Sequence, residues 1–136
     1  MKIELRFNGY WREPNIGGIP NDSGIYLVYR SVFHVESKSV TLLELIYIGQ
    51  AEKARERIRS HEKWSQFRSL LHTGEEIAFA FAVCDDDDVL DRAEAALIYQ
   101  CQPPLNNQLT EEFILPPTTI VATGRCALLD HKFTVP

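Results

Sequence analysis

Hydrophobic and polar residues alternate over residues 2–7, and β-branched, aromatic and aliphatic residues fill segments 24–30, 42–48 and 77–83. These patterns predict β-strands, because such side chains favour an extended, half-buried backbone. The segments 24–30 and 42–48 most simply form an antiparallel hairpin. In the last segment phenylalanines alternate with alanines, so we expect a buried strand with large side chains on one face and small ones on the other.

Two further segments have the composition of helices. Residues 51–71 predict one helix, or two helices broken near residues 62–65. Four aspartates precede the apolar segment 89–101 and place negative charge at the start of a predicted helix, where the helix dipole favours it. Two prolines stop that helix. Together the patterns indicate an α+β fold, in which a small antiparallel sheet of three or more strands is flanked by helices.

The connections suggest how the chain is organised. The link over residues 31–41 exceeds the roughly two to five residues of ordinary hairpin loops, so it either contacts a substrate or is a tolerated insertion. The 136 residues fit a single domain, too short for a catalytic domain plus an ordinary targeting domain. We expect a core over residues 20–108. The extension 109–136 then adds a strand or wraps this core.

The charge pattern bears on possible partners. A net charge of −5 weighs against nucleic-acid binding, because Lys and Arg side chains neutralise phosphates. Residues 52–68, however, carry six basic and three acidic side chains, a local +3 that leaves −8 for the rest. This segment is either one basic face on an acidic body or an ordinary solvated helix face.

Other residue types narrow the class of protein. The first residues lack a signal-peptide apolar core, and no apolar run reaches the ~18 to 20 residues of a membrane span. We therefore expect a cytoplasmic protein with no membrane partner. The three cysteines are widely spaced without a Cys-x-x-Cys pair, so they are expected to be reduced core residues. The histidines show no zinc-ligand spacing.

Glu94 offers the clearest physical argument for a site. On a helical wheel it falls among Leu90, Leu97, Ile98 and Cys101, in the middle of the apolar stripe. An ionised carboxylate there needs a cation or a metal ion. The alternatives are a buried salt bridge to an arginine and a carboxylate at the rim that reaches solvent.

Arg57 and His61 are four residues apart on one predicted helix, so they would share a face with Ala54 and Trp64. Both side chains could converge on one phosphate, and the guanidinium fork suits its oxygens. The alternatives are an ordinary surface arginine and a surface or capping histidine.

Two tyrosines lie on the strands of the predicted hairpin. Strict alternation places Tyr26 with Val28, and Tyr47 with Leu45 and Gly49, so both hydroxyls point toward the helix that follows. The opposite, apolar face then holds Ile25, Leu27, Ile46 and Ile48. Each tyrosine could instead be a core aromatic whose hydroxyl has a hydrogen-bond partner.

Two tripeptides and four single residues stand in a characteristic order along the chain. They are Gly24-Ile25-Tyr26, Tyr47-Ile48-Gly49, Arg57, His61, Glu94 and Asn106. Their identity and spacing, over roughly residues 20–108, resemble the active site of the GIY-YIG endonuclease superfamily.

The resemblance implies a metal-dependent DNA endonuclease that hydrolyses phosphodiester bonds. Glu94 would hold one Mg²⁺ or Mn²⁺ ion, and Arg57 would stabilise the charge that develops in the transition state. Tyr26 or Tyr47 would help to activate the attacking water, and His61 would join the catalytic group. A phenol of ordinary pKa is a poor base at neutral pH, so the tyrosine needs a nearby cation.

Three further residues would support the site in this resemblance. Gly49 would let the backbone turn tightly and approach a ligand. Asn106 would contribute hydrogen bonds, with Asn107 as an alternative occupant of that role. Gln50 departs from the pattern, because many members carry a lysine or another polar residue there and a glutamine supplies no charge.

DNA is the expected partner, with a targeting protein or a second copy of the chain as further candidates. An alternative function is a catalytically weak or inactive nucleic-acid-binding or protein-interaction module with the same fold. The acidic net charge and Gln50 favour this alternative, whereas the retained site residues disfavour it.

Overall fold

A computed structural model describes residues 1–107 and 112–136, and it has an α+β fold built on a mixed six-stranded sheet. The boundary expected between residues 108 and 109 lies outside the described residues. The strands are β1 (Lys2–Arg12), β2 (Gly24–His34), β3 (Ser39–Ala51), β4 (Glu76–Val83), β5 (Thr118–Gly124) and β6 (Lys132–Val135). The helices are α1 (Ala54–Arg59), α2 (Trp64–Ser69) and α3 (Asp87–Cys101), and a 3₁₀ helix spans Glu13–Gly18.

The strands lie in the order β3-β2-β4-β1-β5-β6, and neighbours are antiparallel except for the parallel pair β1 and β5. The α+β class and the β2–β3 hairpin are confirmed. The sheet is larger than its expected three-stranded minimum, because the C-terminal segment returns along β1 and adds β5 and β6. The C-terminal extension, which was expected to add a strand or to wrap the core, thus contributes two strands.

The link between β2 and β3 is short. Pairing continues to His34 opposite Ser39, so only residues 35–38 form the turn. Lys38 adopts a left-handed backbone there, with a φ of 53°. The prediction of a long loop over residues 31–41 is wrong, because its β-branched and aromatic residues extend both strands and leave only the polar tip as a turn.

Both faces of the sheet are apolar, and β4 shows how the faces differ. Phe79 and Phe81 pack in a cluster on the side of α1 and α2, whereas Ala80 and Ala82 pack in a second cluster with α3. Ala80 and Ala82 share their cluster with Leu90, Ala93 and Ala96 of α3. The predicted division of large and small side chains along this strand is confirmed.

The helix boundaries follow local signals. The segment 51–71 forms two helices, and the four residues 60–63 link them. The side chain of Asp86 caps α3 by accepting hydrogen bonds from the backbone N–H groups of Asp88 and Val89. Within residues 1–107 and 112–136, no helix has the length and apolar character needed to cross a membrane.

Candidate active site

A cleft of about 240 Å³ opens beside β3, between the 60–63 link and α3. Three residues of the predicted site, Tyr47, Glu94 and Asn106, line this cleft together. Its remaining walls are formed by Ile48, Glu62, Lys63, Ile98 and Asn107.

A β-bulge in the hairpin changes which face of the sheet two side chains of β3 occupy. Val28 pairs with Tyr47 and Tyr29 pairs with Leu45, so Ile46 has no partner in the ladder. As a result, Ile46 packs with Tyr26 on the α1 side, and Leu45 packs on the α3 side. The predicted faces of Ile46 and Leu45 are therefore wrong, because strict alternation does not survive the extra residue.

His61 lies at the centre of a buried hydrogen-bond chain. It is only 4% exposed, and its Nε2 is 2.8 Å from the hydroxyl of Tyr26. Its Nδ1 accepts a hydrogen bond from the backbone N–H of Lys63 at 3.1 Å. Burial, assisted by the positive charge of Arg57, lowers the His61 pKa to about 4, so the ring is neutral at pH 7.

The proton position follows from these contacts. A neutral imidazole whose Nδ1 accepts must carry its proton on Nε2, so His61 donates to the oxygen of Tyr26. The ring of Tyr26 in turn packs against that of Tyr47, with the two ring centroids 6.2 Å apart. The hydrogen-bonded pair of His61 and Tyr26 thus lies buried behind Tyr47, which lines the cleft.

Arg57 and His61 approach the same region but do not share a helix. Helix α1 ends at Arg59, so His61 lies on the link and turns into the core. The prediction of one helix face is wrong, because the helix stops before the second residue. The guanidinium of Arg57 pairs with both carboxylate oxygens of Glu62, at 2.6 and 3.0 Å. This contact raises the Arg57 pKa above its ordinary value.

Tyr26 and Tyr47 are both protonated at neutral pH. Burial raises the pKa of Tyr26 far above its ordinary value and also raises that of Tyr47. Arg57 opposes this rise at both residues, whereas Glu94 adds to it. The Lys63 ammonium lies 5.8 Å from the centroid of the Tyr47 ring and brings a second positive charge to the cleft.

Glu94 is half-buried and lies beside the amide of Gln50. The Nε2 of Gln50 donates to Glu94 at 3.1 Å and to Asp91 at 2.9 Å. Burial raises the Glu94 pKa, Asp91 raises it further, and the Gln50 hydrogen bond opposes both effects. The partner of this carboxylate is thus a neutral amide rather than the arginine of the salt-bridge alternative.

A divalent cation in the cleft would need several oxygen ligands. Within the described part of the chain, no three His, Cys, Asp or Glu residues form a metal-binding group. The cleft does present oxygen donors, namely the Glu94 carboxylate, the Tyr47 hydroxyl and side-chain amides. A hard cation that keeps much of its water suits such a set, and a carboxylate with raised pKa gains from a nearby positive charge.

Gly49 and Asn106 both support strand β3 beside the cleft. Gly49 lies within β3, and a Cβ atom there would be 2.3 Å from Cζ of Tyr26, so the close approach is to this ring. The predicted tight turn at Gly49 is not present. The Asn106 side chain accepts from the N–H of Ile48 at 3.0 Å and donates to its carbonyl at 2.9 Å. Asn107 is exposed and lines the cleft.

Three residues near the site were not singled out from the sequence. Glu62 and Lys63 counted only as charges of a basic segment, and no sequence pattern pointed to Asp91. The position of Glu62 and Lys63 directly after His61 was the available signal. Their roles depend on the link 60–63, which turns His61 into the core and brings the next two side chains to the cleft.

Comparison with known proteins yields one distant relative. No protein-family model and no solved structure matches the chain. UvrABC system protein C from Fervidobacterium nodosum is 29% identical to it over 98 residues. The aligned part covers 72% of this chain and 16% of that protein, so the chain spans about a sixth of its relative's length. The chain is therefore distantly similar to part of UvrABC system protein C.

Proposed function

We propose that this chain is a GIY-YIG-type, metal-dependent endonuclease that hydrolyses phosphodiester bonds in DNA. The observation that carries the proposal is the buried, hydrogen-bonded pair of His61 and Tyr26, which packs against Tyr47 at a cleft that Glu94 also lines. The distant similarity to UvrABC system protein C and the order of the sequence motifs favour the same assignment.

The surroundings of the two tyrosines assign them different roles. Tyr47 lines the cleft, whereas Tyr26 is only 1% exposed and lies behind it. The oxygen of Tyr26 is itself occupied by the N–H of His61. Tyr47 is therefore the residue that assists the attacking water, and Tyr26 and His61 position it.

The remaining residues supply charge. Arg57 and Lys63 bind the phosphate and stabilise its transition state, and Lys63 compensates for the uncharged Gln50. Glu94, with the oxygen donors of the cleft, would hold one Mg²⁺ or Mn²⁺ ion. When bound, the ion polarises the phosphate and lowers the pKa of neighbouring groups.

DNA is the proposed substrate, and helix α1 provides a surface that the phosphate backbone of the DNA would contact. Lys53 and Arg59 are exposed at the two ends of this helix, within the segment of local charge +3. Contact with several phosphates through such residues makes binding strongly dependent on salt. A targeting protein or a second copy of the chain would add selectivity for a particular DNA.

Cleavage of plasmid DNA in Mg²⁺ or Mn²⁺ tests the proposal. Tyr47→Phe should lower the rate by about 100-fold or more, because it removes the hydroxyl that assists the water. Tyr29→Phe is the matched control, since Tyr29 is a buried tyrosine of the same hairpin whose hydroxyl bonds the carbonyl of Ala127 on the other face. Equal cleavage by wild type and Glu94→Gln would identify a contaminating nuclease and remove the support for the assignment.

Thermal unfolding gives a second measurement that does not depend on activity. The Glu94 pKa is raised in the folded state, so stability falls as pH rises from the ordinary carboxyl pKa through the raised value. Glu94→Gln lacks this loss and should be the more stable protein at pH 7 without divalent ions. Mn²⁺ should raise the melting temperature of wild type only, and an equal rise in Glu94→Gln would exclude Glu94 as the ligand.

A nucleic-acid-binding module without turnover is the second candidate. The Glu62 carboxylate favours it, because it already pairs with both terminal nitrogens of Arg57. Strongly salt-dependent DNA binding by a protein that leaves the plasmid intact would support this candidate. Absence of DNA binding at low salt would indicate a protein partner instead.

A further inference from the structure

The carboxylate of Glu62 occupies the position on Arg57 that an anionic ligand would take. Its two oxygens lie 2.6 and 3.0 Å from the two terminal nitrogens of the guanidinium. A phosphate binds an arginine through the same pair of parallel hydrogen bonds. Glu62 also lines the cleft that holds Tyr47 and Glu94, so its negative charge lies where a phosphodiester would enter.

The surrounding structure allows the Glu62 side chain to leave without disturbing the site. Its neighbour His61 is buried and bonded to Tyr26, and the backbone N–H of Lys63 bonds the His61 ring. The backbone on both sides of Glu62 is thereby held in place. The side chain itself is 66% exposed, against 35% for Arg57, so it can rotate into solvent.

We propose that Glu62 is a specificity-determining residue that mimics the substrate phosphate and keeps Arg57 covered until a phosphodiester displaces it. This inference rests on the proposed function, since it concerns the phosphate that the cleft would bind. A single phosphate displaces Glu62 poorly. A DNA backbone that also contacts the basic surface of α1 supplies the additional attraction needed. Glu62 thus makes occupation of the cleft depend on a longer contact with DNA.

Phosphate binding by variants tests this role directly. Inorganic phosphate is titrated into wild type, Glu62→Gln and Glu52→Gln in EDTA at constant ionic strength, and backbone amide NMR signals around the cleft report the affinity. Glu52 is an exposed glutamate of the same basic segment that lies outside the ion pair, so it controls for the loss of one charge. Exposed ion pairs are weak, so Glu62→Gln should bind phosphate about two- to five-fold more tightly than the control variant.

A double variant locates the gain. Adding Arg57→Ala to Glu62→Gln should remove the gain, because the freed guanidinium is what binds the phosphate. Three outcomes would overturn the inference: equal affinity of Glu62→Gln and Glu52→Gln, weaker binding by Glu62→Gln, or a gain that persists without Arg57. Weaker binding would show that Glu62 instead holds Arg57 in its working position.

Cleavage measured separately distinguishes this inference from the proposed function. If wild type does not cleave DNA but Glu62→Gln gains phosphate affinity through Arg57, the anion site stands and the nuclease assignment fails. If wild type cleaves and Glu62→Gln shows no gain, the role of Glu62 alone is refuted. Because Glu62 is exposed, its substitution should leave the fold intact, which the NMR spectrum itself verifies.

Discussion

Acid should destabilise this fold through one buried histidine. In the folded protein burial lowers the pKa of His61 from 6.5 to about 4, and in the unfolded chain the ring regains its ordinary value. Between these pH values the unfolded state binds a proton that the folded state excludes. The free energy of unfolding therefore falls as pH is lowered from 6.5 toward 4.

The size of this effect follows from the same two pKa values. Each pKa unit corresponds to ~1.4 kcal/mol, so His61 accounts for a loss of about 3 kcal/mol across the interval. A loss of this size is a large fraction of the stability of an ordinary domain. Replacing His61 by glutamine removes the titration, but it also breaks the hydrogen bond to Tyr26, at a cost of about 1–3 kcal/mol near neutral pH.

Urea unfolding followed by tryptophan fluorescence, at several pH values from 7 to 4, measures both effects. His61→Gln should be less stable than wild type at pH 7, and the difference should shrink by about 3 kcal/mol toward pH 4. Carboxylates titrate in both proteins, so they cancel in the difference. His72→Gln, at an exposed histidine, should follow the wild-type profile. A difference between His61→Gln and wild type that stays constant with pH would refute the buried neutral ring.

Two substitutions test the packing that supports the cleft. Gly49→Ala should lower the free energy of unfolding in urea by about 1–3 kcal/mol, because its Cβ would meet the buried Tyr26 ring. Gly17→Ala is the control, since its Cβ would meet only a flexible arginine side chain. Equal losses in the two variants would contradict this packing. Asn106→Ala should lower stability by about 1–3 kcal/mol, because it leaves a backbone N–H and carbonyl of β3 without partners. Asn107→Ala, at an exposed position, should have little effect, and a matching loss there would argue against the specific role of Asn106.

Local patterns were sufficient to predict most of the secondary structure. The hairpin, the two-sided strand 77–83 and the capped helix α3 follow from periodicities of two and 3.6 residues and from turn and cap residues, which act over a few positions. The extent of the hairpin was missed because polar residues near its tip suggested a loop. Pairing along both strands overcame that local preference.

The site shows what local sequence patterns cannot predict. The sequence alone singled out the candidate residues, and the motif order of Tyr26, Tyr47, Arg57 and Glu94 resembles that of a nuclease family. Only the tertiary structure decided that His61 leaves the helix and enters the core, and that Glu62 covers Arg57. These arrangements depend on a bulge, a helix end and contacts between distant segments, so no local pattern encodes them. The burial of a side chain and its hydrogen bonds and ion pairs depend on the neighbours that the whole fold brings to it.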